Sequence, residues 1–404
     1  MGENVVIIGS GQAGLQTAVS LRQLECAGAI TLVGREPHLP YQRPPLSKQI
    51  LTGEWEPARC LLRHAEFYAE HDLRLLRDRM ATQLNPAHRH VLLDDGTTLD
   101  YDALVICTGA RPNRLRFPGA ELEGVCYLRT LDEAQALAAQ LQPGAALTIV
   151  GGGFIGMEVA ASARSRQCRV NIIESQPRVM QRSVLEPVSN FLQARHEQRG
   201  VAFHLQECLS AAHGDRRVES VSLDDGRRIA TDLLLVAVGV RPDLEWLEGS
   251  GIECGRGVHV DTHGRTSIDG IYAAGDVAET LHPLLPGRQV LESVQNAVSQ
   301  GKAAAASIAG RPQPYTEVPW FWSEQYHYRF QMAGLPRPDD ELVSLDTGQP
   351  DSLCLLSVGG ERLHAVQCIN SPQDYMAGRR LIGLAKPLAL DRLDRPGARL
   401  KELL

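Results

Sequence analysis

The sequence predicts an α/β protein carrying two Rossmann-type nucleotide-binding units, and three observations predict it. First, the apolar run Val5–Ile8 passes directly into Gly9-Ser10-Gly11-Gln12-Ala13-Gly14 and then into a helical pattern. Second, the same order returns with Leu147–Val150, Gly151–Gly156 and another helical pattern. Third, each unit has a later apolar run closing in a G-x-R-P turn: Leu104–Cys107 before "TGARP", and Leu233–Val238 before "GVRPD". Strand, glycine turn, helix and strand in that order make a βαβ unit.

Taken along the chain, the first unit runs from Val5 through a helix over Leu15–Leu24 to a strand at Ile30–Val33, ending at Gly34-Arg35-Glu36. Residues 37–48, "PHLPYQRPPLSK", are too rich in proline for a helix or a central strand and read as loop. The second unit has a helix over Phe154–Arg166 and a strand at Val170–Ile173, ending at Glu174. "TSIDGIYAAGDVAE", Thr266–Glu279, reads as a strand entering a Gly-Asp turn, and Glu292–Ala309 reads as helix. Pro312, Pro314 and Pro319 mark a linker. Beyond it Trp320, Phe321 and Trp322 crowd together, and the runs Leu353–Val358 and Ala365–Ile369 suggest an antiparallel sheet.

Bulk properties narrow the function classes. A formal charge of −7 over 404 residues gives no electrostatic reason to bind nucleic acid or an anionic membrane. The nine cysteines are scattered and none form C-x-x-C, which suits reduced thiols and not a disulfide framework. No run approaches the ~18 apolar residues of a membrane span. The first strand starts too early for a signal peptide. The expectation is a cytoplasmic protein with no membrane segment.

The glycine positions carry the chemistry. Gly9, Gly11 and Gly14 allow a tight turn and close approach of backbone to a pyrophosphate, which then meets the helix N-terminus. Glu36 follows at a spacing where a carboxylate can take ribose hydroxyls. Gly151, Gly153, Gly156 and Glu174 repeat the pattern, and a carboxylate there would repel a 2′-phosphate and favour NADH over NADPH. Two such sites suggest two dinucleotides, a bound flavin and a visiting nicotinamide. Asp276, in "YAAGDVA", is either a helix N-cap or a flavin contact, and the N-terminal loop favours the latter.

The segments "VIIGSGQAG", "PYQRPPLSK", "TGARP", "LRTLDEA", "VGGGFIGMEVAA", "VGVRPD", "IYAAGDVA", "ESVQNAVSQGK" and "PWFWSEQY" together resemble the FAD-dependent NADH–ferredoxin reductases of bacterial oxygenase systems, the putidaredoxin reductase and biphenyl dioxygenase ferredoxin reductase type. The resemblance spans nearly the whole chain. It implies a glutathione-reductase-like α/β fold: two Rossmann-type dinucleotide-binding domains plus a C-terminal α/β interface domain. The implied FAD-binding domain occupies 1–110 and 240–318, the NAD-binding domain 111–239, and the interface domain 319–404. It further implies that Gly9, Gly11, Ala13, Gly14, Glu36, Arg43, Lys48, Ala81, Arg129, Asp276, Val294 and Trp320 serve FAD. Gly151, Gly153, Ile155, Gly156, Glu158, Glu174 and Gly239 would serve NADH. Lys48 and Glu158 are the expected catalytic pair: a cation near the flavin favours its reduced anionic form, and needs a carboxylate to hold it in a partly buried site. Glu158 is expected on the first turn of its helix. Where the family often has Asp, "WFWSEQ" has Glu324.

Electron flow follows from the cysteines. The loop "PPLSKQ" has none, unlike disulfide reductases or NADH oxidases of this fold, so electrons should leave singly to an external acceptor; the resemblance implies that this is a [2Fe–2S] ferredoxin feeding a Rieske-type dioxygenase or a cytochrome P450. From Tyr375 onward seven Lys and Arg face three acids, a basic edge on which Arg379, Arg380, Arg392 and Arg395 could dock an acidic ferredoxin. The resemblance implies a monomer. A flavin NADH oxidase and a signalling flavoprotein resembling apoptosis-inducing factor are the alternative readings.

Overall fold

A strand apolar at every position has to be covered on both faces. In Val5–Ile8, Val5 and Ile7 enter one hydrophobic core and Val6 and Ile8 another. The structure, a computed structural model describing residues 4–389 and 399–404, puts this strand at the centre of a five-stranded parallel sheet. The order is Ile271–Ala273, Ala103–Ile106, Val5–Ile8, Ile30–Gly34, Leu73–Arg77. The helices Gln12–Gln23 and Val294–Ile308 cover one face, supplying Ala13, Leu15, Ala18, Ala297, Ala304 and Ile308 to the core. Gly301 lets the two helices meet closely: a Cβ there would lie 2.9 Å from the Ala13 carbonyl oxygen.

The second nucleotide unit repeats this plan. Its parallel sheet runs Val201–Leu205, Arg169–Glu174, Ala146–Val150, Leu233–Val236, Val125–Cys126, with the helix Phe154–Ser165 following the central strand. In both units a three-stranded antiparallel meander precedes the strand that returns beside the glycine-loop strand: Ala81–Asn85, His90–Leu93 and Thr98–Asp100 in one, Leu209–His213, Ser220–Leu223 and Arg228–Ala230 in the other. The C-terminal sheet is antiparallel, in the order Trp320–Gln325, Tyr328–Gly334, Arg362–Ile369, Leu353–Gly359, Glu341–Leu345. Helix Pro372–Leu384 brings Ala377, Leu381 and Ile382 inward.

By packing, the chain forms two bodies. One comprises Met1–Gln42, Cys60–Arg111 and Arg241–Phe321; the other comprises Arg43–Arg59, Pro112–Val240 and Trp322–Leu404. The fold class is as the sequence predicts. Two local readings change. The first nucleotide helix starts at Gln12, within the glycine stretch, and not at Leu15. The segment read as loop contains a 3₁₀ turn, Pro44–Ser47, followed by the short helix Gln49–Thr52. Pro44 and Pro45 occupy the first positions of the turn, where a missing N–H costs nothing.

Candidate functional site

In the first body, Gly9 has φ +113°, and a Cβ on it would lie 2.0 Å from the Cys107 carbonyl oxygen. A Cβ on Gly14 would lie 1.9 Å from the Gly9 carbonyl oxygen. Those two glycines are required by the fold of the loop itself. Gly11 differs: a Cβ there meets nothing within 4 Å among the described residues. Gly11 also precedes the first helical residue, and among the described residues no side chain caps that end and no acid sits in its first turn. Its first amide groups are therefore left without a side-chain acceptor, the arrangement that suits a phosphate. Gly275 brings the Gly-Asp turn against this helix, since a Cβ on it would lie 3.0 Å from Ala13 Cβ. The Gly275 amide donates to Gln300 Oε1 at 2.8 Å. Asp276 lies in the turn between Ile271–Ala273 and Ala278–Leu281, not at a helix start, so it is no helix N-cap. Val294 opens its helix, and Trp320 N donates to Gln295 Oε1 of the same helix at 3.3 Å. Glu36 accepts the Tyr41 hydroxyl at 2.5 Å. Ala81 is buried at the start of the meander.

The second body repeats the cradle. Gly151 has φ +106°, its would-be Cβ 2.3 Å from the Ala237 carbonyl oxygen, and that of Gly156 lies 2.1 Å from the Gly151 carbonyl oxygen. Gly153, like Gly11, opens onto free space and precedes an uncapped helix. Glu174 Oε2 accepts the Gly152 amide at 2.7 Å, and Oε1 accepts the Gln176 amide at 2.8 Å. Arg178, four residues beyond Glu174, donates its guanidinium to the carbonyls of Gln181 and Val184. Ile155 is exposed on the first turn of the helix. Gly239 has φ +89°, and its carbonyl accepts the Asn113 amide at 3.0 Å.

Lys48 and Glu158 meet in this same body. Lys48 Nζ lies 2.7 Å from Glu158 Oε2, with the side chains 13% and 6% exposed. Glu158 stands at the fifth position of its helix, on the second turn and not the first. Its Oε2 also accepts the Ser47 hydroxyl at 2.5 Å, and its Oε1 accepts the Ser323 hydroxyl at 2.7 Å. Lys48 Nζ donates to the Pro44 carbonyl at 3.1 Å. A buried carboxylate with three donors meets the condition for staying charged out of water; removing one partner of such a pair costs about 3–5 kcal/mol. Nearby, the Arg43 guanidinium donates to the Arg129 carbonyl at 2.5 Å, and the Ser162 hydroxyl donates to the Ser47 carbonyl at 2.7 Å.

The profile of the pyridine nucleotide-disulphide oxidoreductase family matches residues 3–301. The chain belongs to that family. A second profile, the reductase C-terminal domain, matches residues 320–404 of this oxidoreductase. Rhodocoxin reductase of Rhodococcus erythropolis is 40% identical over 391 residues, covering 95% of this chain and 90% of its own. The ferredoxin reductase component of chlorobenzene dioxygenase from Cupriavidus sp. (strain PS12) is 39% identical, covering 95% and 93%. Among solved structures, the covalent putidaredoxin reductase–putidaredoxin complex contains a chain that aligns with a TM-score of 0.96 at 32% identity, covering 99% of this chain and 98% of that one. The family implies FAD and NADH, and the two cradles fit them: each keeps the glycine whose Cβ would fill the phosphate space, above an uncapped helix end.

The oxidoreductase carries no cysteine pair at the Lys48 loop. Cys60 is fully buried, and burial pushes its thiol up; burial takes Cys107 to about 12. Cys354 and Cys368 face each other at 3.5 Å inside the C-terminal sheet, both fully buried. On the basic edge, Arg380 and Lys401 border an open hollow of about 610 Å³ floored by Met376, Ala377 and Leu404. Arg399 turns inward instead, to Asp374 Oδ2 at 3.2 Å and the Thr347 carbonyl. Arg392 and Arg395 lie outside the described residues. Glu324 pairs loosely with Arg329, at 3.9 Å on the surface. Sequence reasoning did not find Ser47 or Ser323, although both stand inside quoted motifs, beside Lys48 and Glu324.

Proposed function

We propose that this chain passes a hydride from NADH to bound FAD and then single electrons to a [2Fe–2S] ferredoxin serving a Rieske-type dioxygenase or a cytochrome P450. The observation that carries the reading is the pairing of two like cradles with a buried Lys48–Glu158 ion pair where disulfide reductases would need cysteines. The membership of the family and the names of its relatives support it. FAD, when bound, supplies the conversion of a two-electron donor into a one-electron donor.

The residues then divide the work. The amides after Gly9 and Gly11 bind the FAD pyrophosphate, and Ala13, Gly14, Glu36, Ala81, Asp276, Val294 and Trp320 complete that site. Gly151, Gly153, Ile155, Gly156, Glu174 and Gly239 bind NADH, with the Glu174 carboxylate excluding a 2′-phosphate. Arg43 is assigned with Lys48 to the isoalloxazine, and Arg129 with Asp276 to the phosphate and ribityl regions of FAD. Lys48 holds a positive charge toward the isoalloxazine and favours the reduced anionic form; Glu158 keeps the ammonium in place. The assignment of 1–110 and 240–318 to FAD, 111–239 to NAD and 319–404 to the interface domain follows, with 43–59 packing in the NAD-binding body. Arg379, Arg380, Arg392 and Arg395 would steer an acidic ferredoxin, and the apolar floor of the hollow beside Arg380 suits a docked partner. No helix among the described residues is long and apolar enough to cross a membrane, and the reductase is proposed to work as a cytoplasmic monomer.

NADH-driven reduction of cytochrome c should depend on added [2Fe–2S] ferredoxin. Equal rates without ferredoxin would overturn the reading, and fast oxygen uptake without any acceptor would favour an oxidase.

A further inference from the structure

Glu158 has two oxygens with different duties. Oε2 serves Lys48 and Ser47; Oε1 serves Ser323. From Ser323 a line of buried groups continues. Gln325 Nε2 lies 3.3 Å from Ser323 Oγ, His196 Nε2 lies 3.0 Å from Gln325 Oε1, and Tyr326 Oη lies 3.2 Å from His196 Nδ1. Ser323, Gln325 and His196 are at most 1% exposed. Ser323 and Gln325 stand two apart on one strand and so share a face, while His196 comes from the last turn of helix Glu186–Glu197.

Chemistry fixes the direction of the line. A carboxylate only accepts, so Ser323 gives its one proton to Glu158. Its oxygen must then accept from the Gln325 amide N–H. The Gln325 carbonyl therefore faces His196, whose Nε2 must carry hydrogen. Nδ1 of the neutral ring then accepts the Tyr326 hydroxyl. Burial, aided by the Arg199 cation, lowers the His196 pKa to about 4, which keeps the ring neutral. All four bonds thus point at one carboxylate, and aligned donors of this kind polarise and strengthen one another.

We propose that Ser323, Gln325 and His196 are positioning residues that hold the Glu158 carboxylate through Oε1, and through it fix the Lys48 ammonium. None of them is placed in the dinucleotide cradles. Their effect on hydride transfer rests on the function proposed above; their effect on Lys48 does not.

The test uses the full-length, FAD-loaded protein with Gln325→Met and, separately, Ser323→Ala. The readouts are the rate of Lys48 acetylation by an acetyl N-hydroxysuccinimide ester, measured by mass spectrometry against exposed Lys302, and NADH-to-ferricyanide kinetics. Each variant should raise Lys48 labelling about threefold or more, as expected when a charged hydrogen bond is loosened. kcat should fall while KM for NADH stays within about twofold. Nitrogen NMR of the unaltered protein should find His196 protonated at Nε2 and bare at Nδ1. Unchanged Lys48 labelling in both variants, or an Nδ1–H tautomer, overturns the proposal. Raised labelling with unchanged kcat upholds the positioning chain and overturns the catalytic role of Lys48. Should Gln325→Met not fold, Ser323→Ala and the tautomer carry the test.

Discussion

The two glycine loops share a cradle and part company at their acids and helices. Ile8 pairs with Val33 and Val150 with Ile173, so Gly34 and Glu174 hold equivalent places one residue further on. At that place the second loop has a carboxylate bonded to the Gly152 amide. The first has a glycine whose Cβ would lie 2.2 Å from Ser10 Oγ. Its own acid, Glu36, comes two residues later and is held by Tyr41. The helices differ likewise. Gln16, the counterpart of Glu158, bonds to Ser20 on its own helix at 3.0 Å, whereas Glu158 grips Lys48. The same glycine loop is thus used twice, and the groups that tell the two copies apart are placed around it.

The contrast can be broken most severely at Glu158. Glu158→Gln installs the residue of the first helix and leaves a buried ammonium unpaired, a loss of about 3–5 kcal/mol in denaturant unfolding. It should also slow flavin reduction in stopped flow by about tenfold or more. Gln16→Glu should do neither.

His196 belongs to the second body alone and should give it a pH dependence. The unfolded ring takes a proton below about 6.5 and the folded ring resists until about 4. Stability is therefore full above pH 6.5 and falls by about 3 kcal/mol on the way down to pH 4. In His196→Gln that part of the slope should vanish from urea unfolding curves.

Gly14→Ala and Gly156→Ala drive a Cβ into a carbonyl oxygen at 1.9 and 2.1 Å. Each should cost about 2–3 kcal/mol, and losses of similar size, read from thermal unfolding, would sharpen the equivalence of the cradles. Glu174→Ala should raise KM for NADH about tenfold, a loss of about 1.4 kcal/mol, and narrow the preference over NADPH. The smallest effect belongs to the surface. Reversing Arg379 and Arg380 should weaken ferredoxin turnover by about threefold at low salt, less at high salt, and leave ferricyanide reduction unchanged.

Much of this was legible in the residues. Gly9, Gly14, Gly151 and Gly156 announce their loops because only glycine survives the approach of a carbonyl, and the apolar runs before them announce central parallel strands. Lys48 and Glu158 were joined through family likeness and a need for charge balance, 110 positions apart. The inequivalence of Glu36 and Glu174 shows in their spacing, 22 residues after Gly14 against 18 after Gly156, and strand register locates it. The rest depended on what no spacing encodes. Ser323, Gln325 and His196 read as an ordinary serine, glutamine and histidine until a strand and a distant helix bring them to one carboxylate. The 3₁₀ turn at Pro44–Ser47 hid behind its prolines, which disfavour a helix interior and suit a helix start.

The central claim is that two like cradles hold two different dinucleotides. Gly11→Ala and Gly153→Ala test it directly, because each adds a methyl only to the open space at its helix N-terminus. The measurement is the flavin absorbance retained by each purified variant. Gly11→Ala should lose most of its FAD; Gly153→Ala should keep a full complement. Loss of flavin from Gly153→Ala with retention in Gly11→Ala, or equal retention in both, would contradict the account.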